Sequence, residues 1–311
     1  MKRFSALFLA FLLLASLVAC GGTLPEEKDE KLQIVSTLFP YYDLARTIAG
    51  DAAEVTLLCS AGRESHSYEP TPHDVLRVLN ADLFFYNGGT DEQWADELLA
   101  ANEHGEALAG TACLSLLEEE LPEGATSHEQ EEEGEIEYDE HVWTSPRNML
   151  VLAQALTDRL VRMDAEHADL FRENLAAFTR DVTALDAAFT ALAAGHGYPA
   201  LIFGDRFPFF YFCRAYGFSY LAAFAGCSTE TEPSAATMIA LIERAKAEKT
   251  PVYYLENGSG LVADAIAEAA GVPARRLDSC QSITREDMEN GETYLSLMWR
   301  NYDTIRKGLT A

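Results

Sequence analysis

Two of the seven histidines in the chain lie in loops where an imidazole could bind a metal ion. His66 lies in the turn-rich segment Arg63 to Pro72, and His141 lies in the segment Tyr138 to Pro146, just before a predicted helix. Neutral imidazole nitrogen binds Zn²⁺ at about 2.0 to 2.1 Å, and carboxylate oxygens often complete such sites. A single loop histidine is more often a surface or hydrogen-bonded residue, so the interpretation depends on the elements that position these two.

Strand-like and helix-like segments alternate around the two histidine loops. The predicted strands are Leu32 to Thr37, Glu54 to Leu58 and Asp82 to Tyr86, and the predicted helices between them are Tyr42 to Ile48 and Pro72 to Leu79. A further helix from Pro146 to Met163 follows, with Ser145 as its N-cap and proline at the first helical position. This alternation predicts a parallel sheet with helices on both faces.

The most regular segment of the chain lies between residues 164 and 194. Its apolar residues are Phe171, Leu175, Phe178, Val182, Leu185, Phe189 and Leu192. Because their spacing alternates between four and three residues, they predict one long amphipathic helix, which Gly195 and Gly197 end. At 1.5 Å per residue this helix would span roughly 45 Å. A dimeric coiled coil is the alternative, and the α/β patterns on both sides favour a linking helix within one molecule.

The α/β pattern begins again after this helix. The predicted strands are Tyr198 to Phe203, Phe218 to Phe224 and Val252 to Leu255, and the predicted helices are Ala235 to Glu248 and Leu261 to Ala270. The fold class is therefore α/β, with two lobes, each a parallel sheet flanked by helices, joined by one long linking helix. A cleft between two such lobes is the default place for a ligand.

The first thirty residues have the layout of an export signal. Met1-Lys2-Arg3 precedes an apolar stretch from Phe4 to Val18, and Leu17-Val18-Ala19-Cys20 follows the pattern of a lipoprotein cleavage site. We expect cleavage before Cys20, lipidation of that cysteine, and a protein held on the outer side of the cell membrane by its lipid. An uncleaved N-terminal anchor is the alternative.

These patterns give predicted boundaries along the whole chain. They are a signal peptide at 1–19, a lipidated tether at 20–30, a first lobe at 31–163 with an acidic loop at 118–140, a linking helix at 164–195 and a second lobe at 196–311. Two lobes of this size agree with the usual size of domains, and we expect a monomer.

The charge and the cysteines exclude several classes of protein. Removing residues 1–19 deletes Lys2 and Arg3 and no acidic residue, so the formal charge changes from −27 to −29. Nucleic acid is therefore an improbable partner, whereas a cation is favoured electrostatically. Besides Cys20, the cysteines are Cys59, Cys113, Cys213, Cys227 and Cys280. Their scattered spacing argues against a disulfide scaffold and a structural zinc knot, although one disulfide remains open.

The segment from Glu118 to Glu140 has low complexity, with twelve carboxylates, His128 and no positively charged residue. We expect a surface loop that does not pack. It is either a solvated acidic face or a weak collector of divalent cations, because carboxylate oxygens attract such ions.

Several ordered motifs resemble the metal-binding proteins of zinc and manganese ABC importers. The matching segments are Ser36 to Leu44, His66 to Pro72, Ala81-Asp82-Leu83, Tyr86-Asn87-Gly88, His141-Val142-Trp143, Glu232-Pro233-Ser234 and Leu277-Asp278-Ser279. The resemblance implies that His66 and His141 are metal ligands from the first lobe. It also implies two ligands from the second lobe, a histidine or glutamate after the first strand and a carboxylate near the C-terminus.

The second lobe departs from that pattern at one position. Asp278 matches the C-terminal carboxylate, but Gly204-Asp205 stands where a histidine is common. The resemblance therefore implies Asp205 as the replacement ligand, unless Arg206 neutralises it in a salt bridge. Glu256, after the strand Val252 to Leu255, is the reserve candidate, and water would complete the metal shell if neither residue binds.

The implied function is capture of Zn²⁺ outside the cytoplasm and its delivery to the permease of an ABC importer. Two imidazoles and two carboxylates also suit Mn²⁺, so the ligand types leave this metal open. A zinc hydrolase is one alternative, with Glu69 or Glu256 as its general base, but the chain has no His-Glu-x-x-His or Gly-x-Ser-x-Gly motif. A surface adhesin that also carries a metal site is the other alternative.

Overall fold

The computed structural model describes residues 31–63, 68–100, 105–120, 137–197, 199–224, 226 and 232–310. The predicted signal peptide, the tether with Cys20, and His66 lie outside these ranges, so their roles stay predictions. Within the described residues, no helix combines the length and apolar character needed to cross a membrane.

The first sheet has four parallel strands in the order β2-β1-β3-β4. They are β1 (Leu32–Ser36), β2 (Ala53–Leu57), β3 (Leu83–Tyr86) and β4 (Glu106–Ala109). The central register pairs Ile34 with Val55 on one side and with Leu83 on the other. All four residues of β3 are buried, as expected for a parallel strand covered on both faces. The helices of this lobe are α1 (Phe39–Ala49), α2 (Pro72–Leu79), α3 (Gln93–Ala100) and α4 (Pro146–Met163).

Helix α4 begins as predicted at Pro146, but Ser145 does not cap it with its side chain. The position before the helix has extended backbone, and the main-chain carbonyl of Ser145 accepts the N–H groups of Asn148 and Met149. The proline at the first helical position lacks an N–H group, so it removes one of the donors that a cap would otherwise have to satisfy.

Helix α5 (Ala168–Gly195) is the predicted linking helix, and at 28 residues it spans about 42 Å. The spaced apolar side chains of this helix are buried, apart from the partly buried Leu175. They belong to one hydrophobic cluster that includes residues of both sheets, such as Leu83 and Phe203. On the second-lobe side, the ring of Phe189 packs edge-to-face against Phe212 at a centroid distance of 4.8 Å. The helix therefore links the lobes through a continuous core.

The second sheet repeats the strand order of the first, as β6-β5-β7-β8, and all its strands are parallel. The strands are β5 (Ala200–Phe203), β6 (Ser219–Ala222), β7 (Val252–Leu255) and β8 (Ala274–Leu277). The helices are α6 (Phe210–Tyr216), α7 (Ala235–Glu248), α8 (Leu261–Ala270), α9 (Arg285–Glu289) and α10 (Tyr294–Leu309). The two sheets flanked by helices and the linking helix confirm the predicted fold class.

The polar residues of interest follow the carboxyl ends of the strands. Asn87 follows β3, Asp205 comes two residues after β5, and Glu256 and Asp278 come directly after β7 and β8. Since the carboxyl ends of parallel strands meet at one edge of a sheet, each lobe gathers its polar residues at one edge.

The acidic segment at 118–140 differs from its prediction at both ends. Glu118 and Tyr138 form an antiparallel bridge, and the N–H of Glu119 donates to the carbonyl of Glu137 at 2.9 Å. Asp139 and Glu140 are buried. The ends of this segment therefore pack because main-chain pairing satisfies their polar groups, and the residues between 121 and 136 lie outside the described ranges.

Candidate metal site

His141 lies in the first lobe and is only 2% exposed. It directly precedes a short 3₁₀ helix at Val142–Thr144. Its main-chain N–H donates to Oδ1 of Asp139 at 2.8 Å, and its carbonyl accepts from the hydroxyl of Thr144 at 2.8 Å. The ring atom Nδ1 lies 3.4 Å from the same Asp139 oxygen. The loop thus fixes the main chain of His141 on both sides of the residue.

A small cavity of about 20 Å³ lies against His141. The residues that line it are Thr37, Leu38, Tyr68, Asn87, Glu92, Trp94, Glu140, His141, Trp143 and Gln281. Burial raises the pKa of Glu92 to about 7, although the N–H of Gly88 donates to its carboxylate at 2.9 Å. Tyr68, two residues after His66, brings the end of the first histidine loop to this cavity.

The second lobe approaches His141 through Gly226. A Cβ atom added to Gly226 would lie 3.0 Å from Cε1 and 3.4 Å from Nδ1 of His141. The main chain at Gly226 therefore passes so close to the imidazole that a side chain at this position would crowd it, and His141 lies at the boundary between the lobes.

A second cavity, of about 80 Å³, lies at the carboxyl edge of the second sheet. Asp205, Arg206, Glu256, Ser279 and Gln281 are among the residues that line it. Oδ2 of Asp205 accepts the N–H of Leu255 at 3.0 Å, and Oδ1 accepts the main-chain N–H of Arg206 at 2.9 Å. The carboxylate of Asp205 is therefore held by main-chain donors at the wall of this cavity.

Glu256 is the other carboxylate in this cavity. It accepts the N–H of Ser279 at 2.8 Å and the hydroxyl of Ser279 at 2.7 Å. Burial, together with a smaller contribution from the charge of Asp278, raises the pKa of Glu256 to about 7 despite these donors. The reserve candidate and Asp205 thus share one cavity, and Gln281 lines both this cavity and the one at His141.

Asp278 is buried and paired with arginines. Its Oδ1 lies 2.9 Å from Nη2 of Arg276, and its Oδ2 accepts from Nε of Arg300 at 2.8 Å. Asn301 fixes the main chain at the same residue, because its side chain accepts the N–H of Asp278 at 2.8 Å and donates to its carbonyl at 2.7 Å. Asp287 bridges the same two arginines at 2.7 and 2.9 Å.

The predicted ligands therefore occupy different surroundings. His141 and Asp205 line separate cavities that Gln281 connects, Asp278 lies in the arginine cluster, and His66 lies outside the described ranges. Across the described part of the chain, no three His, Cys, Asp or Glu side chains are arranged to hold a metal ion.

Glu92, Glu140 and Gln281 line these cavities and were not predicted as site residues from the sequence. Glu140 had a usable signal, because it directly precedes His141 and is a carboxylate. Gln281 had a weaker one, because it lies three residues after Asp278. Glu92 had none, since a glutamate near a helix start is usually exposed.

Hydrogen bonds to main-chain carbonyls of the second lobe join the two lobes beside these cavities. The indole N–H of Trp143 donates to the carbonyl of Ser279 at 2.9 Å. The main-chain N–H of Phe39 donates to the carbonyl of Gln281 at 3.2 Å, and that of Gly62 donates to the carbonyl of Ile283 at 2.8 Å. Alternate carbonyls of the second-lobe segment 279–283 are thus held by first-lobe donors.

Comparison with known proteins places the chain in one family. The family described as ZnuA, zinc-uptake complex component A periplasmic, matches residues 34–308. The high-affinity zinc uptake system protein ZnuA of Bacillus subtilis is 30% identical over 325 residues, which cover 99% of this chain and 98% of that protein. The zinc-binding lipoprotein AdcA of Streptococcus pneumoniae is 34% identical over 314 residues, covering 99% of this chain. The chain spans 61% of the length of that AdcA.

The fold is also similar to that of a solved structure from a related protein. The crystal structure of the Zn(II)-bound ZnuA-like domain of Streptococcus pneumoniae AdcA has a TM-score of 0.74 and 30% identity, covering 90% of this chain and 100% of that domain. The structure has two α/β lobes, with one cavity at His141 and one at the carboxyl edge of the second sheet. The chain belongs to the ZnuA family of zinc-uptake components.

Proposed function

We propose that this protein captures Zn²⁺ outside the cytoplasm and delivers it to the permease of an ABC-type importer. Its membership of the ZnuA family supports this role. The observation that carries the proposal is the buried imidazole of His141, which lies at the boundary between the lobes and faces a cavity with carboxylates. Two lobes that each supply ligands can enclose a four-coordinate Zn²⁺, which suits capture of the ion.

We assign His66 and His141 as first-lobe ligands and Asp205 as a second-lobe ligand, with Glu256 in reserve. Tyr68 supports the inclusion of His66, because the end of its loop lines the His141 cavity. Asp278 remains the predicted fourth ligand, although its two arginine partners oppose this role, since a metal would have to compete with both. Mn²⁺ remains the alternative metal, because carboxylate oxygens suit it.

The proposal also covers where the protein is located, and it favours a binding protein over an enzyme. We propose that the mature protein is a monomer, held at the outer side of the membrane by a lipid on Cys20. A zinc hydrolase would need an open metal position and a general base, whereas the relatives are described as zinc-uptake and zinc-binding proteins. The adhesin alternative stays a prediction.

Calorimetric titration of the metal-free protein with Zn²⁺ and Mn²⁺ tests the proposal. We expect one tight site with a preference for Zn²⁺, which weakens by at least a hundredfold in His66→Ala and in His141→Ala. His73→Ala is the matched control, because His73 is exposed on helix α2 and should leave the affinity unchanged. Unchanged zinc affinity in both site variants would refute the proposal.

The second-lobe ligand is tested separately with Asp205→Asn and Glu256→Gln, which keep the size of each side chain, remove its charge and replace one of its two acceptor oxygens by an NH2 group. We expect Asp205→Asn to weaken zinc binding more than Glu256→Gln does. The reverse order would assign the ligand role to Glu256.

A further inference from the structure

The carboxylate of Glu140 joins the His141 loop to the end of strand β3. Its Oε1 accepts the main-chain N–H of Thr90 and the hydroxyl of Thr90, the latter at 2.8 Å. Thr90 begins a short 3₁₀ helix at Thr90–Glu92, which follows the turn after β3. Since Glu140 directly precedes His141, these hydrogen bonds fix the loop at the residue next to the imidazole.

The backbone under this carboxylate requires glycine. Gly89 has a φ of +104°, which L side chains rarely adopt, and an added Cβ would lie 2.2 Å from the carboxyl carbon of Glu140. The carboxylate therefore lies directly over the main chain of Gly89.

A second attachment holds the main chain of Glu140. The side-chain amide of Asn87 donates to the Glu140 carbonyl at 3.2 Å, and its oxygen accepts the hydroxyl of Tyr41 at 2.5 Å. Both atoms of the Asn87 amide are thus engaged in a buried network. Glu140 is attached to the β3 end through its side chain and its main chain, and it is only 7% exposed.

We infer that Glu140 is a positioning residue for the metal site: it fixes the imidazole of His141 and adds negative charge to the same cavity. This inference rests on the proposed function, because it takes His141 as a ligand. A buried carboxylate attracts a divalent cation more strongly than an exposed one, since water screens it less. Groups that orient a metal-binding histidine change the metal affinity by about 10- to 100-fold when they are removed.

Three variants distinguish the effect of Glu140 on the orientation of His141 from the effect of its negative charge. Glu140→Ala removes both, and we expect zinc affinity to fall by about 10- to 100-fold. Glu140→Gln keeps an oxygen that can accept from Thr90 but removes the charge, so we expect a smaller loss. Thr90→Val removes one donor and leaves the charge, and we expect a loss of only a few-fold. Zinc affinity is measured by competition with a chromogenic chelator.

Nitrogen-15 NMR of the histidine rings in the metal-free protein supplies a readout that does not depend on zinc. We expect the His141 ring signals to shift in Glu140→Ala and to return towards their wild-type positions in Glu140→Gln. Asn174→Ala is the control, because Asn174 on α5 donates to the carbonyl of Ile48 at 3.0 Å and neither residue lines the two cavities. It should lower stability without changing the zinc affinity or the His141 signals.

The possible failures are distinguishable. If His141→Ala weakens zinc binding but Glu140→Ala and Thr90→Val do not, the inference is wrong and the proposed function stands. If His66→Ala and His141→Ala both bind zinc normally, the proposed function is wrong. If His141→Ala alone binds zinc normally, this inference is wrong, because it takes His141 as a ligand. If circular dichroism shows that Glu140→Ala is unfolded, Glu140→Gln and Thr90→Val carry the test, and wild-type affinity in both would overturn the inference.

Discussion

The indole N–H of Trp143 donates a 2.9 Å hydrogen bond to the carbonyl oxygen of Ser279. Trp143 lies two residues after His141 in the first lobe, and Ser279 lies one residue after Asp278 in the second. The carbonyl of Trp143 accepts in turn from the hydroxyl of Tyr294, at the start of α10, at 2.9 Å. One residue thus connects the histidine loop to two segments of the second lobe.

Trp143→Phe should therefore destabilise the protein and loosen the site together. The buried carbonyl of Ser279 would lose its donor, and the smaller ring would leave a void, for a cost of about 2 to 4 kcal/mol. We expect zinc affinity to fall several-fold as well. Urea unfolding and zinc titration measure the two effects.

Trp299→Phe provides a control of the same chemistry. Trp299 is 38% exposed on α10, so its substitution should change the free energy of unfolding by less than about 1 kcal/mol. If Trp143→Phe were no more destabilising than Trp299→Phe, the connection through Ser279 would contribute nothing to stability.

The arginine cluster around Asp278 gives a second prediction. Asp278→Asn and Arg300→Met each break a pair whose carboxylate is buried, and each should cost about 2 to 4 kcal/mol. If Asp278 acts by anchoring the segment that follows it, both variants should also weaken zinc binding by a similar factor, below tenfold. Urea unfolding and zinc competition titration on the same preparations measure both quantities.

Asp303→Asn is the control for this cluster, because the Asp303–Arg306 pair is largely exposed and should contribute less than about 1 kcal/mol. A loss of zinc affinity above a hundredfold in Asp278→Asn, with normal affinity in Arg300→Met, would instead identify Asp278 as a ligand.

The sequence was sufficient to predict the linking helix and most strands, because their patterns come from local periodicity. Even there, α5 begins at Ala168 and not at Asp164. Asp164 accepts the N–H groups of Glu166 and His167 at 3.1 and 3.2 Å, so these residues form a turn between α4 and α5. Aspartate often forms such local hydrogen bonds outside helices.

Strand β8 and helix α6, which the sequence missed, lack a local pattern. Strand β8 has the sequence Ala-Arg-Arg-Leu, in which two adjacent arginines interrupt the apolar alternation typical of a strand. One of them, Arg276, is paired with Asp278. Helix α6 is buried on almost every face, so its sequence has no helical period.

The site was predictable only in part. Both histidine loops have strong local motifs, whereas the partners of Asp278 depend on tertiary structure. Arg300 lies 22 residues further along the chain, on α10, and no sequence pattern shows that it meets Asp278. The same holds for Glu92, which reaches the His141 cavity only because the end of β3 and the His141 loop meet.

Stability should depend on pH through Asp43. Burial raises the pKa of this carboxyl to about 6, although it accepts the N–H of Tyr294 at 2.8 Å. Between pH 3.8 and about 6 the folded protein holds a proton that the unfolded chain has released, so the contribution of Asp43 to stability falls as pH rises. Asp43→Asn removes this titration and keeps an oxygen that can accept from Tyr294.

We therefore expect Asp43→Asn to gain roughly 2 to 3 kcal/mol relative to wild type between pH 4 and pH 8. Urea unfolding at a series of pH values, with a chelator present, measures this difference. Val182→Ala is the control, because it removes buried apolar atoms and no titratable group, so its cost should not vary with pH. A pH-independent difference for Asp43→Asn would contradict the raised pKa.

The acidic segment should affect how fast zinc binds more than how tightly it binds. Six glutamates lie between residues 121 and 136, and clustered negative charge raises the association rate of a cation. The base of the segment is ordered, since the N–H of Asp139 donates to the carbonyl of Leu117 at 3.0 Å, close to His141. A variant in which these six glutamates become glutamine therefore changes the charge and keeps this base and the loop length.

Stopped-flow mixing of this variant with Zn²⁺ should show slower association and a weaker dependence on salt, with an unchanged dissociation rate. Deleting residues 118–137 should do more, because it also removes the Glu119–Glu137 hydrogen bond beside Asp139, which holds the main chain of His141. We expect that deletion to raise the dissociation rate as well. If the glutamine variant matched wild type in association rate at low salt, the segment would not act as a collector of cations, and its charge would serve only as a solvated surface.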